Sequence, residues 1–248
     1  AQLLEIPFRD TDNSCCHFTS DNTACQNSAM PESAPQRRRS YRGQSSDARR
    51  AERRQLLLEA ALNLIAEQGY SNATVRNLCA AAGLTERYFY ESFSNREALL
   101  GELYQQQTEI LREAMLSAIH RSNGSAEQAV RAGLQAFFET LQNCPSLARV
   151  ILFEIFGVSK TMDALYYQAM EDFAALLGEL AQVLGIARIV PPASDAMLYA
   201  GLVGAAVQMA RRWVLNDYHE SPDILVESSL LLFMALSEQQ DAPLSVEH

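Results

Sequence analysis

Thr74 to Phe93 read TVRNLCAAAGLTERYFYESF. Val75, Leu78, Cys79 and Ala82 recur at i, i+3, i+4 and i+7, the spacing of one apolar helix face. Gly83 closes that helix, and a second short helix opens with Thr85 as its N-cap. Leu84 and Phe89 fall at N′ and N4, where a hydrophobic staple sets the entry angle. Phe89 and Phe93 share the inward side, which leaves Thr85, Arg87, Tyr88 and Ser92 outward. Two short helices about a glycine turn make a helix-turn-helix, whose second helix fits a major groove. Taken alone, the spacing equally suits two helices that only pack together.

Upstream, Leu57, Ala61, Leu64 and Ile65 form a stripe that ends at Gln68 and Gly69. Downstream, Ser94-Asn95 breaks the period, and a fourth helix is expected from Arg96 to about Ser122. Val130, Leu134, Phe137, Phe138 and Leu141 mark the next helix. Further helices are expected from Pro145 to about Phe156, Lys160 to Leu184, Ser194 to Asn216 and Ser221 to about Gln239. Strand patterns are nearly absent. The expected fold is all-α, with an N-terminal three-helix helix-turn-helix domain and a C-terminal helical bundle. The expected divisions are a disordered tail over 1–46, the DNA-binding domain over 47–97, the bundle over 98–240 and a C-terminal tail over 241–248.

The net charge of −10 conceals an asymmetry. Residues 37–100 hold eleven arginines against seven acids, whereas 101–248 hold eight basic groups against eighteen acids. A basic block beside an acidic body separates a phosphate-facing part from another function. Arg37, Arg38, Arg39 and Arg42 suit a DNA backbone or a solvated linker alike. The five cysteines are Cys15, Cys16, Cys25, Cys79 and Cys144. An odd count without a C-x-x-C pair fits a reducing cytoplasm better than a disulfide framework. Residues 1–8 lack a secretory pattern, and no apolar run is long enough for a membrane span. His17, His120, His219 and His248 are scattered, and no glycine-rich phosphate loop occurs. Neither an enzyme, a metal site nor a cofactor is therefore expected.

Arg54 to Leu100, RQLLLEAALNLIAEQGYSNATVRNLCAAAGLTERYFYESFSNREALL, resembles the DNA-binding domain of the TetR (tetracycline-repressor) family. The resemblance rests on Ala60-Ala61, Gly69-Tyr70, Thr74-Val75, Ala82-Gly83, Thr85, Phe89-Tyr90, Phe93 and Arg96-Glu97. It implies phosphate contacts from Thr74, Thr85, Tyr90 and Arg96, and base reading by Arg87 and Tyr88. A packed core tyrosine is the other reading of Tyr90. Arg87 and Tyr88 stand where small residues are frequent, Ser92 replaces a frequent His, and Arg96 replaces a frequent Lys.

One recognition helix buries little surface, so a homodimer on a double-stranded operator is expected. Small residues such as Gly201 and Ala205, with Leu225, Leu232 and Phe233, are the candidate dimer interface; bundle core is the alternative. Phe137, Phe153, Phe156, Tyr166, Met170 and Phe173 are candidates for an apolar ligand pocket, or again for core. The resemblance implies a small-molecule inducer, expected to be lipophilic. Glu154 and Asp163 leave a cationic ligand open. The resulting expectation is a repressor released from DNA by its ligand, with the fourth helix as lever. The competing expectation is a helix-turn-helix regulator without such a ligand: one controlled by a protein partner or by redox at Cys79 or Cys144, or an activator.

Overall fold

The computed structural model describes residues 46–122, 124–183 and 194–238. The basic cluster Arg37–Arg42, Cys15, Cys16 and Cys25, the loop with Pro191-Pro192 and the tail over 241–248 lie outside them. The described residues form helices and no strands. In order these are α1 (Ser46–Gln68), α2 (Val75–Ala82), α3 (Glu86–Ser92), α4 (Arg96–Arg121), α5 (Ala126–Asn143), α6 (Pro145–Arg149), α7 (Lys160–Val183), α8 (Asp195–Leu215) and α9 (Pro222–Glu238). A 3₁₀ turn, Tyr70–Asn72, joins α1 to α2.

The expected boundaries follow from local chemistry. Thr74 caps α2 by accepting from the Asn77 N–H at 3.2 Å. Gly83 ends it with φ +65°, and the Leu84 N–H reaches back to the Cys79 carbonyl at 2.9 Å. Only glycine adopts that left-handed backbone without a Cβ penalty. Thr85 caps α3 by position only, since its side chain makes no cap hydrogen bond. Asn95, expected merely to break the period, is the working cap of α4 and accepts from the Ala98 N–H at 2.8 Å. Ser125 and Gln128 form a reciprocal capping box on α5.

One element departs from expectation. The helix opened by Pro145 does not continue as an α-helix to Phe156; it becomes a π-helical turn over Val150–Glu154. This segment is enclosed by α1, α4 and α8. Val150, Ile151, Leu152 and Ile155 are all buried, so apolar residues point in several directions rather than along one stripe. Trp213 of α8 anchors the bundle between Phe138 and Tyr218, and its Nε1–H donates to the Glu220 carbonyl at 2.9 Å.

Candidate nucleic-acid interface and ligand cavity

The N-terminal module is held by Leu57, Ala61 and Ile65 of α1, Leu78 and Cys79 of α2, and Phe89 and Phe93, all buried. That core turns the other side of α3 outward. The Arg87 side chain is 84% exposed and pairs with Glu91 at 3.1 Å. Such a pair is worth about 0.3–0.5 kcal/mol in water, so a stronger partner can displace Glu91. Thr74 and Thr85 are exposed at the starts of α2 and α3, where free N–H groups suit phosphate oxygens. Tyr90 is 59% exposed and touches Phe89 edge-on, so it is not a core tyrosine. Tyr88 is half-buried, with the Arg53 guanidinium 4.4 Å from its ring centre.

Ser92 is a correction: its hydroxyl oxygen is enclosed without a hydrogen-bond partner rather than turned outward. The cause is α1, whose arginines cover the end of α3. Arg50 donates to the Glu91 carbonyl at 2.6 Å, and Arg54 donates to the Ser92 carbonyl. These are carbonyls a helix leaves without intrahelical partners, at its negative end. Arg54 also forms a two-pronged pair with Glu102 of α4 and lies over the Phe93 ring. Arg50, Arg53 and Arg54 were missed as site residues; their i, i+3, i+4 spacing was the available signal.

Arg96 is engaged inside the module. Its Nη1 donates to the carbonyls of Tyr70 at 3.2 Å and Ala73 at 2.9 Å, and the guanidinium lies 5.0 Å from the Tyr70 ring centre. It closes the turn that presents Thr74, while its other N–H groups remain donors for a phosphate. Burial pushes the Tyr70 phenol above its ordinary pKa, and Arg96 partly pulls it back. Burial, with Glu86, also pushes the Cys79 thiol up. A thiol held protonated is a weak redox nucleophile.

Below the module, α4, α5, α7, α8 and α9 enclose a cavity of about 280 Å³. Phe137, Tyr166, Met170 and Phe173 line it, as do Tyr104, Thr108, Leu111 and Met115 of α4. The latter four recur at i, i+4, i+7 and i+11, a legible stripe that sequence reasoning left unassigned. No lining residue carries a charge. Phe153 and Phe156 are corrections, as neither lines the cavity. Phe153 packs against the core from the π turn, and Phe156 is half-exposed against the rings of Tyr166 and Tyr167. The two acids are also elsewhere: Glu154 faces the N-terminal module, and Asp163 accepts from the Gly157 N–H at 2.7 Å.

The interface candidates divide. Gly201 and Leu232 are exposed and Ala205 is half-buried. Leu225, by contrast, is buried within its own bundle and Phe233 lines the cavity, because α9 packs one side against α5. Met197 and Leu215 of α8 and Ile224 and Leu231 of α9 are large apolar side chains left exposed. Among the described residues, no group of three or more His, Cys, Asp or Glu is placed to hold a metal ion. No described helix is long and apolar enough to cross a membrane.

Residues 57–103 match the family described as bacterial regulatory proteins, tetR family. An uncharacterized HTH-type transcriptional regulator of Haemophilus influenzae is 28% identical over 127 residues, covering 51% of this chain and 62% of that protein's length. The HTH-type transcriptional activator FasR of Mycolicibacterium smegmatis is 26% identical over 182 residues, covering 73% of this chain and 81% of that protein. The fatty acid degradation regulator FadR of Bacillus halodurans superposes with a TM-score of 0.64 at 21% identity, covering 77% of this chain and 97% of that one. FadR of Bacillus subtilis in complex with stearoyl-CoA superposes with a TM-score of 0.60 at 21% identity, covering 72% and 96%. An all-α chain with an outward-facing recognition helix, matched over residues 57–103 by that family, has one reading: it is a DNA-binding transcriptional regulator whose helix-turn-helix segment is of the tetR type.

Proposed function

We propose that this regulator is a homodimeric repressor released from a palindromic operator by a long, mostly apolar ligand. The observation that carries the reading is the uncharged cavity directly beneath the recognition module, with α4 running from one to the other. On α4 the cavity extends from Tyr104 to Ile119, about 22 Å at 1.5 Å per residue. An extended hydrocarbon advances over three bonds about as far as a peptide over one residue, roughly 3.4 Å, so that length holds about 18–20 carbons. The stearoyl-CoA bound by the Bacillus subtilis relative supports an acyl chain as occupant. The exposed apolar faces of α8 and α9 support pairing with a second copy, which would place two α3 helices on successive turns of DNA.

Thr74, Thr85, Tyr90 and Arg96 are assigned to phosphates, and Arg87 and Tyr88 to base edges. The ligand favours a dimer whose modules are wrongly spaced, and DNA favours the correct spacing, so each weakens the other equally. The test starts with a site selected from random DNA and titrates octadecanoyl-CoA into the dimer–operator complex. Operator affinity is expected to fall by about 5–150-fold. Bound ligand that leaves operator affinity unchanged would refute the release mechanism. A second reading, activation, is favoured by the relative named an activator. Transcription in vitro separates the two: adding the protein lowers output for a repressor and raises it for an activator.

A further inference from the structure

The π turn Val150–Glu154 has one part in the cavity wall and its last residue on the recognition module. Ile151 and Leu152 line the cavity. Two residues on, Glu154 accepts from the Tyr70 N–H at 2.8 Å, and its other oxygen accepts from Arg149 Nε at 2.8 Å. The Tyr70 carbonyl in turn accepts from Arg96, which also holds the Ala73 carbonyl just before the α2 cap. Arg211 of α8 donates to the Leu152 carbonyl at 2.9 Å and to the Tyr166 hydroxyl at 3.3 Å. The cavity wall, the π turn and the start of the helix-turn-helix are therefore joined by direct hydrogen bonds.

The two ends of the cavity differ. α4 and α7 run the same way: Gly101 approaches Met162 and Leu165 near their starts, and further along Thr108 and Arg112 share a groove with Asp172 and Leu176. Tyr104 and Tyr166 therefore mark one end with Ile151 and Leu152, and all four are at most 9% exposed. At the other end Ile119, Ala126, Leu180 and Tyr199 are only half-buried. A charged head group cannot enter an uncharged tube without a desolvation cost. It therefore stays at the half-buried end, and the hydrocarbon tip points toward the π turn.

A π turn is suited to switching because it differs from an α-helix by one residue of register. Recasting it as an α-helix rotates the residues beyond it by about 100° and moves them about 1.5 Å. Either displacement takes the Glu154 carboxylate off the Tyr70 N–H. We propose that the Val150–Glu154 turn reads ligand length: a chain long enough to reach Ile151 and Leu152 displaces the turn, and Glu154 passes that displacement to Tyr70. The inference rests on the ligand-release reading above. Glu154 is a positioning residue, touching the module's backbone and lying outside the cavity lining.

The test uses the full-length dimer, its selected operator, and dodecanoyl-CoA and octadecanoyl-CoA, with ligand binding measured by calorimetry. In the unaltered protein, saturating octadecanoyl-CoA is expected to weaken operator binding by at least about 5-fold, whereas saturating dodecanoyl-CoA changes it by less than about 2-fold. Glu154→Ala is expected to bind octadecanoyl-CoA within about 2-fold of normal while its operator affinity no longer responds. Glu154→Gln, which keeps an acceptor for the Tyr70 N–H, is expected to restore part of the response. A merely structural role for Glu154 would lower thermal stability yet preserve the ligand response below the melting temperature. If Glu154→Ala keeps the full response, or saturating dodecanoyl-CoA releases DNA as completely as octadecanoyl-CoA, the inference is overturned and ligand release stands. If octadecanoyl-CoA fails to bind, or binds without altering operator affinity in the unaltered protein, the release reading itself falls.

Discussion

Arg87 and Arg96 lie nine positions apart and are expected to fail differently when removed. Arg87 extends into solvent and holds only Glu91 of its own helix. Its substitution by alanine is expected to leave folding unchanged and to cost about 1–3 kcal/mol of discrimination at one base pair. Affinity measured against a panel of single-base operator variants checks this; equal losses at every variant would move Arg87 to the phosphate-contacting group. Arg96 instead ties the Tyr70 and Ala73 carbonyls together. Arg96→Ala is expected to lower stability by about 1–3 kcal/mol, because two carbonyls lose a charged donor. It should also weaken all DNA sequences alike and flatten the salt dependence. Urea denaturation beside a salt titration reads both effects, and unchanged stability would show that the two carbonyl contacts contribute little.

Among the elements, the helix-turn-helix is legible because its turn demands one backbone conformation. Gly83 has φ +65° and open space where a Cβ would sit. Gly83→Ala is therefore expected to cost about 1 kcal/mol from backbone strain alone. That corresponds to roughly 2–4 °C in melting temperature for a chain of this size. A much larger loss would mean that the added methyl clashes as well. The spans of α4, α7 and α8 were equally readable, since their stripes repeat over many turns. The π turn was not: Val150, Ile151 and Leu152 are consecutive apolar residues, and periodicity cannot say which of three surrounding helices each one meets. The same limit explains Phe153 and Phe156, which have the composition of a pocket but do not line it. It also explains Phe233, assigned to the outer face of α9 when it points inward. Side-chain type was visible in the sequence, whereas direction depended on helix neighbours distant along the chain.

At the scale of the molecule, the cavity lies inside one chain's bundle, walled by α8 and α9 as well as α4, α5 and α7. Ala206 lies on that wall and is 9% exposed. Ala206→Phe is expected to fill the space, abolish acyl-CoA binding and hold the melting temperature level or raise it. It should also leave a regulator that stays on its operator when acyl-CoA is added. Calorimetry and operator binding check the two halves, and persistent ligand uptake would place the binding site elsewhere. Leu231 of α9 is 71% exposed, on the face assigned to pairing. Leu231→Asp is expected to halve the mass measured by sedimentation and to abolish specific operator binding, because a single α3 covers too little DNA. An unchanged mass would exclude that face.

One helix thus looks both ways: α9 gives Phe233 and Met234 to the cavity and Leu231 and Leu232 to the outside. A molecule that nudges the inner pair cannot leave the outer pair wholly undisturbed. Self-association and effector uptake should then be linked, so that diluting the protein shifts its apparent sensitivity to the effector. If the proposed ligand release holds, a cell would tune its response through the abundance of the regulator as well as through the supply of the effector.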